Sequence, residues 1–237
     1  MSRCLHCHEP FFEKASWHKL LMLDPPAQLC SDCESKLVEI GGKRCYGCSR
    51  SLDSLPIQYV KGDECSDCWN WKQQAYTRDL LERNVSLYQY NSFLKEWLAT
   101  YKYRGDAIIA SFFAEKFAIL YKNEFNGYIP IEIPLSKERL LQRGFNQSVL
   151  LMQGWAEEAG LLMRHSGEKQ SKKNRKQRIA QVENQSFQMK LEKKSLIVGK
   201  NIVLVDDIYT TGTTVRQAAR VLKDHGANRV ASITVAR

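Results

Sequence analysis

The C-terminal third of the chain switches cleanly between two hydrophobic periods. Ile202–Val205 is a short apolar run of strand length. From about Thr213 to His225 the apolar positions recur at helical spacing, and Gly226 stops them. Val230–Val235 is a second apolar run. Strand, helix and strand of this length predict a right-handed βαβ unit in a parallel sheet. Upstream, Val85–Tyr90 has the β-branched and aromatic content of a strand. Asn91 is placed to cap a helix whose apolar positions include Phe93, Leu94, Trp97 and Leu98. Lys102-Tyr103-Arg104-Gly105-Asp106 interrupts that helix, with Gly105 as the break and Asp106 as a second cap. Ile108, Ile109, Phe112, Phe113, Phe117 and Leu120 then recur at helical spacing and read as core. Tyr128–Pro134 predicts a short strand with its prolines at the ends or on an edge. Residues 147–163 carry a helical pattern, and 164–200 are polar and basic.

The first 68 residues are organised by cysteine instead. All eight cysteines lie there, in four C-x-x-C pairs: Cys4/Cys7, Cys30/Cys33, Cys45/Cys48 and Cys65/Cys68. A two-residue gap lets a tight turn aim both sulfurs at one ion, and two such turns complete the tetrahedral shell of a structural zinc. The simplest assignment is two zinc ions, one on the first four cysteines and one on the last four; an interleaved pairing stays open. Iron–sulfur clusters also take thiolates. A redox C-x-x-C needs one pair beside a βαβ unit, not four in tandem. His6 and His8 flank the first turn and are expected in solvent. The chain thus divides into a cysteine module at 1–70, a linker at 71–84 and an α/β domain at 85–237.

Length and charge sharpen this picture. The 237 residues hold one full-sized domain plus a small module. The start lacks the apolar core of a secretory signal, and no apolar run is long enough to span a bilayer. The expected compartment is the cytoplasm, where cysteines are not held in disulfides. The net charge of +9 is uneven: residues 1–70 carry 8 Lys/Arg against 10 Asp/Glu, and the rest carry 27 against 16. A basic second part fits a polyanion such as nucleic acid, although surface lysines alone produce the same balance. Within it, Lys169, Lys172, Lys173, Arg175, Lys176 and Arg178 place six positive charges in ten residues. Such a run is either a solvated loop or a phosphate-backbone contact, with Tyr103, Phe145 and Tyr209 as candidate base-stacking rings.

The most informative segment is Val203-Leu204-Val205-Asp206-Asp207-Ile208-Tyr209-Thr210-Thr211-Gly212-Thr213-Thr214. An apolar strand delivers two carboxylates to its end, and a hydroxyl-rich loop then enters a helix. Ligands of open α/β sheets bind beyond the carboxyl ends of strands. The N–H groups of a helix N-terminus favour a phosphate, and Gly212 lets the backbone approach it. Neither G-x-x-x-x-G-K-[ST] nor G-x-G-x-x-G is present.

This segment resembles the PRPP-binding motif of type I phosphoribosyltransferases. Together with Lys102-Tyr103-Arg104-Gly105-Asp106, the stretch Arg139-Leu140-Leu141-Gln142-Arg143-Gly144-Phe145-Asn146-Gln147 and the four cysteine pairs, it resembles the ComF (ComFC) family of late competence proteins. The resemblance runs over almost the whole chain. It implies a zinc-ribbon module followed by a type I phosphoribosyltransferase-like domain, its parallel sheet flanked by helices. By the same resemblance Asp206 and Asp207 face ribose hydroxyls, and Thr210, Thr211, Gly212, Thr213 and Thr214 hold a 5′-phosphate. Residues 134–147 form a facing loop over pyrophosphate, with Arg139 and Arg143 as anion contacts. Magnesium accompanies PRPP. Lys102, Arg104 and the basic run would meet single-stranded DNA, handled with the ComFA helicase during natural transformation. A working transferase with an unidentified acceptor and a PRPP-sensing regulator are the alternatives, so the resemblance does not by itself decide whether a reaction occurs.

Overall fold

Four apolar runs, each too short for a helix, meet as one parallel sheet. In the computed structural model, which describes residues 2–13, 17, 21, 26–103, 108–165 and 186–237, they are β1 (Asn84–Tyr88), β2 (Ile129–Glu132), β5 (Asn201–Ile208) and β6 (Arg229–Ala236). Their order is β1-β6-β5-β2, and all three pairings are parallel. Side chains alternate along a strand, so the two faces build two cores. Val203, Val205, Ala231 and Ile233 pack with α2 (Ser92–Tyr103) and α3 (Ile108–Glu124). Ile202, Leu204 and Val230 pack with α6 (Thr213–Asp224). Asn91 caps α2 as its position implies, its Oδ1 accepting from Leu94 N at 2.8 Å.

The helical pattern at 147–163 is overturned. Helix α5 covers only Gln147–Leu150, after α4 (Lys137–Arg143), and β3 (Leu162–Arg164) pairs antiparallel with β4 (Phe187–Met189). Gly154 and Gly160 take φ of +82° and +56°, which ends the helix and turns the chain into the hairpin. The expected second cap, Asp106, lies outside the described residues.

The cysteine segment docks as part of both cores. Cys4, Cys33, Leu29 and Leu37 join the layer of α2 and α3, whereas Cys45, Cys48, Cys65, Cys68 and Leu52 join the layer of α6. Between them the chain clasps the β1 edge: Gln89 N donates to Val38 O at 2.8 Å and Asn84 N to Gly47 O at 3.1 Å. An uncovered parallel edge exposes unpaired N–H and C=O groups, and here the segment covers one. Helix α1 (Ser66–Gln73) then carries the chain onward, with Trp71 buried against the domain.

Beneath this clasp runs a buried polar seam. Asn84 Nδ2 donates to Ser86 Oγ (2.8 Å), Ser232 Oγ donates to Asn84 Oδ1 (2.9 Å), and Ser86 and Thr234 hydroxyls share a 2.7 Å bond. Ser49 Oγ adds a 2.7 Å bond to Asn84 O, tying the Cys45/Cys48 turn to the same residue. Asn84→Leu would strand buried hydroxyls on both strands. It should cost about 2–3 kcal/mol in chemical denaturation, and a loss under roughly 0.5 kcal/mol would show the seam carries no weight.

Candidate functional site

At the carboxyl end of β5, Asp206 and Asp207 follow each other and therefore point to opposite faces. That alternation is how a strand end holds two adjacent carboxylates without crowding them. Asp206 faces the side of Arg164 at the end of β3, and Asp207 faces the side of Tyr101 on α2. Their backbone is locked locally: Asp207 N donates to Asp206 Oδ1 (2.9 Å) and Ile208 N to Asp207 Oδ1 (3.0 Å).

The loop beyond turns sharply into α6. Gly212 is the N-cap residue, at φ +79°, and the first helical amide, Thr213 N, points to Thr211 Oγ1 at 3.5 Å. A Cβ at this position would collide with Tyr209 Oη and Arg216 Nη1, so glycine is required both by the dihedral and by space. Thr211 and Thr213 hydroxyls bond each other at 2.8 Å, and Thr210 is exposed. The first turn of α6 thus keeps the character of an anion site, with helix amides beside several hydroxyls.

Helix α4 presents Arg139 and Arg143, four residues apart and so on one face. Gly144 ends α4 in the left-handed region and returns its N–H to Leu140 O at 2.8 Å. Burial, then Arg139, push the Arg164 guanidinium down from its usual range; Asp206 opposes this and Arg143 adds to it. The same Arg143 acts on Tyr101, whose phenol burial and then Asp207 push upward. The charges of Arg139, Arg143, Asp206 and Asp207 are thus felt at Arg164 and Tyr101, and Arg164 pairs with Ser136 just before α4. Arg164 and Tyr101 are additions that the sequence pattern concealed, the first at the end of a falsely helical stretch, the second among core aromatics.

Other expected contacts fall elsewhere. Arg104 and the run Lys169–Arg178 lie outside the described residues, and of Lys102 and Tyr103 only the helical backbone is described. Tyr209 cannot stack a base, because it is buried at 3% exposure beneath Arg216 and Arg237. Phe145 is half-buried against Tyr101, their ring centroids 5.6 Å apart. His6 is not in solvent either: it packs on Phe93 at 4.3 Å and sets Nδ1 3.7 Å from Cys33 Sγ.

The cysteines gather as Cys4, Cys7, Cys30, Cys33 and as Cys45, Cys48, Cys65, Cys68, each set with its sulfurs within 4.8 Å of one another. The sequential pairing is therefore the one the fold adopts. Sulfurs 2.3 Å from a tetrahedral ion are about 3.8 Å apart, and Cys7–Cys30 and Cys48–Cys65 stand at 3.8 and 3.6 Å. Both sets can hold a metal ion, and their geometry is consistent with zinc. No described helix is long and apolar enough to cross a membrane.

The second set reaches loop 210–214 through its neighbours. Trp71, three residues past Cys68, donates Nε1–H to Thr211 O at 2.9 Å. Arg216 stacks on the Trp71 ring at 4.6 Å and donates to Tyr209 Oη at 2.7 Å. Arg237 donates Nη1–H to Thr210 O at 2.6 Å. Beside the loop lies a cavity of about 570 Å³, whose walls include Arg50, Ser54, Gln89, Tyr90, Thr210 and Thr211.

Comparison with known proteins places the fold in a family. A family model described as the phosphoribosyl transferase domain matches residues 165–237. Competence protein ComFC of Bacillus subtilis (strain 168) is 36% identical, covering 99% of this chain and 94% of the relative. Competence protein ComFC of Streptococcus pneumoniae is 30% identical, covering 99% of this chain and 100% of the relative. Amidophosphoribosyltransferase of Staphylococcus aureus is 39% identical over 88 residues, 36% of this chain and 18% of that protein.

Arg164 offers a direct check of the site. Arg164→Met should weaken inorganic pyrophosphate binding about tenfold, roughly 1.4 kcal/mol, in isothermal titration. Unchanged affinity would place Arg164 outside the anion site.

Proposed function

The chain belongs to the ComFC family of competence proteins, and on that premise we propose that it binds single-stranded DNA during DNA uptake, with a PRPP-type ribose-phosphate site beside the strand. The strand end bearing Asp206 and Asp207, followed by the hydroxyl-rich turn into α6 and with Arg164 paired beside α4, supports this reading. Guanidinium forks suit phosphate oxygens, and the loop 210–214 adds helix amides and hydroxyls. Asp206 and Asp207 accept from the ribose hydroxyls. Lys102, Arg104 and the basic run Lys172, Lys173, Arg175, Lys176, Arg178 supply positive charge for the DNA backbone, and the ComFA helicase is the partner acting on the same strand. The two cysteine sets hold zinc. Magnesium arrives with PRPP, because it favours phosphate oxygens supplemented by a carboxylate, which Asp206 offers.

A second reading is favoured by one observation, the cavity abutting Thr210 and Thr211. It gives an acceptor room next to the ribose site. In that reading the chain transfers ribose 5-phosphate from PRPP: the arginines stabilise the departing pyrophosphate while the acceptor's nucleophile bonds to the anomeric carbon. A PRPP-sensing regulator would use the same binding groups without the transfer.

Fluorescence anisotropy of a labelled single strand separates these. Affinity should fall as salt rises, by about 0.7 log unit per log salt for each phosphate neutralised. Saturating Mg²⁺–PRPP should change it by several-fold. Absence of strand binding at low salt would overturn the DNA reading, and pyrophosphate release in the presence of an acceptor would favour the transferase.

A further inference from the structure

The phosphate loop is shaped from outside itself. Two successive carbonyls, of Thr210 and Thr211, are taken by donors that belong to neither the loop nor its helix. Arg237, one residue beyond β6, donates Nη1–H to Thr210 O at 2.6 Å and also reaches Tyr209 O at 3.4 Å. Trp71, on α1 about one turn after Cys68, donates to Thr211 O at 2.9 Å.

Both donors are anchored at the second cysteine set. The other edge of the Arg237 guanidinium, Nε and Nη2, is buried without a conventional hydrogen-bond acceptor. It faces Cys48, with Cys65 close behind, and Nη2 lies 3.7 Å from Asp67 Oδ2. Asp67 stands between Cys65 and Cys68 in sequence and also pairs with Arg50 at 3.3 Å. A buried guanidinium edge aimed at sulfur fits a tetrad of thiolates holding a metal ion, because N–H groups around such a site point at its sulfurs. Trp71 is fixed in turn by Arg216 over its ring and by Thr77, whose hydroxyl donates to Trp71 O at 2.7 Å.

We propose that the tetrad Cys45, Cys48, Cys65, Cys68 and the phosphate loop are energetically coupled through Arg237 and Trp71, acting as positioning residues, so that metal on the tetrad holds the loop ready for phosphate. This rests on the ribose-phosphate reading of the loop only for its ligand arm. The physical chain is short. The ion fixes the four sulfurs, the sulfurs and Asp67 orient Arg237, α1 orients Trp71, and these two side chains set the carbonyls whose peptide planes turn the loop amides inward. Coupling between two binding equilibria is reciprocal: ligand in the loop must retain the metal by the same factor that metal strengthens the ligand. The first tetrad, in the opposite core layer, shares none of these contacts.

The test uses the full chain loaded with two zinc ions, as wild type, Trp71→Phe, Arg237→Met and Arg237→Lys. Hydrogen exchange of the amides of residues 210–214, without any ligand, is the first measurement. Exchange should speed about tenfold or more in Trp71→Phe and Arg237→Met, with partial rescue in Arg237→Lys and unchanged protection in α3. The second measurement is zinc release to a chromogenic chelator with and without Mg²⁺–PRPP. PRPP should slow the release of one of the two ions several-fold in wild type and not in Arg237→Met. Unaltered loop exchange in both Trp71→Phe and Arg237→Met overturns the coupling, whatever the ligand proves to be. So does zinc release that is indifferent to bound PRPP. Failure of PRPP to bind wild type, with loop exchange still responsive to the variants, would instead overturn the ribose-phosphate reading and leave the coupling standing.

Discussion

On the ribose-phosphate reading proposed above, loop 210–214 keeps its amides for the ligand, so its own backbone cannot hold it closed. In this protein the restraint comes from the carbonyl side. Thr210 O and Thr211 O accept from Arg237 and Trp71, and the close packing of Tyr209 and Arg216 leaves room only for glycine at 212. The rest of the architecture follows from supplying those two donors. Arg237 is delivered by the strand that pairs with β5, and Trp71 by the helix that leaves the second cysteine set.

The cysteine segment accordingly serves as a layer of the domain. Its two tetrads lie in different cores on the two faces of one sheet, and its backbone closes the β1 edge. Small segments of this kind bury little apolar surface, and metal binding supplies the folding free energy they lack. Here the Asn84 seam and the loop carbonyls join that segment to a sheet whose β1 edge it covers.

Much of this was legible in the sequence, and the misses have physical reasons. The strand–helix–strand unit around Asp206 and Asp207 is a local pattern with two distinct periods, so it reads directly. Two-residue cysteine spacing is a covalent constraint and reads equally well; the pairing follows once the turns are placed in space. The stretch at 147–163 misled because Leu150, Leu151, Leu161 and Leu162 mimic a helical stripe, while Gly154 and Gly160 carry the contrary signal. Arg164 and Tyr101 reach the site through tertiary packing alone. Tyr209 looked available for stacking, yet the loop turns it under two arginines. No sequence period could announce that Trp71 and Arg237, 166 positions apart, grip neighbouring carbonyls.

The central claim is that the second tetrad and the parallel sheet are one cooperative unit. The most direct measurement follows equilibrium unfolding of the cobalt-loaded chain with two signals, thiolate-to-metal absorption for the tetrads and far-ultraviolet circular dichroism for the sheet. Coincident transitions are the mark of a single unit. Half of the thiolate signal should be lost together with the sheet, at one denaturant concentration. Loss of the entire thiolate signal while the sheet remains intact would contradict the claim.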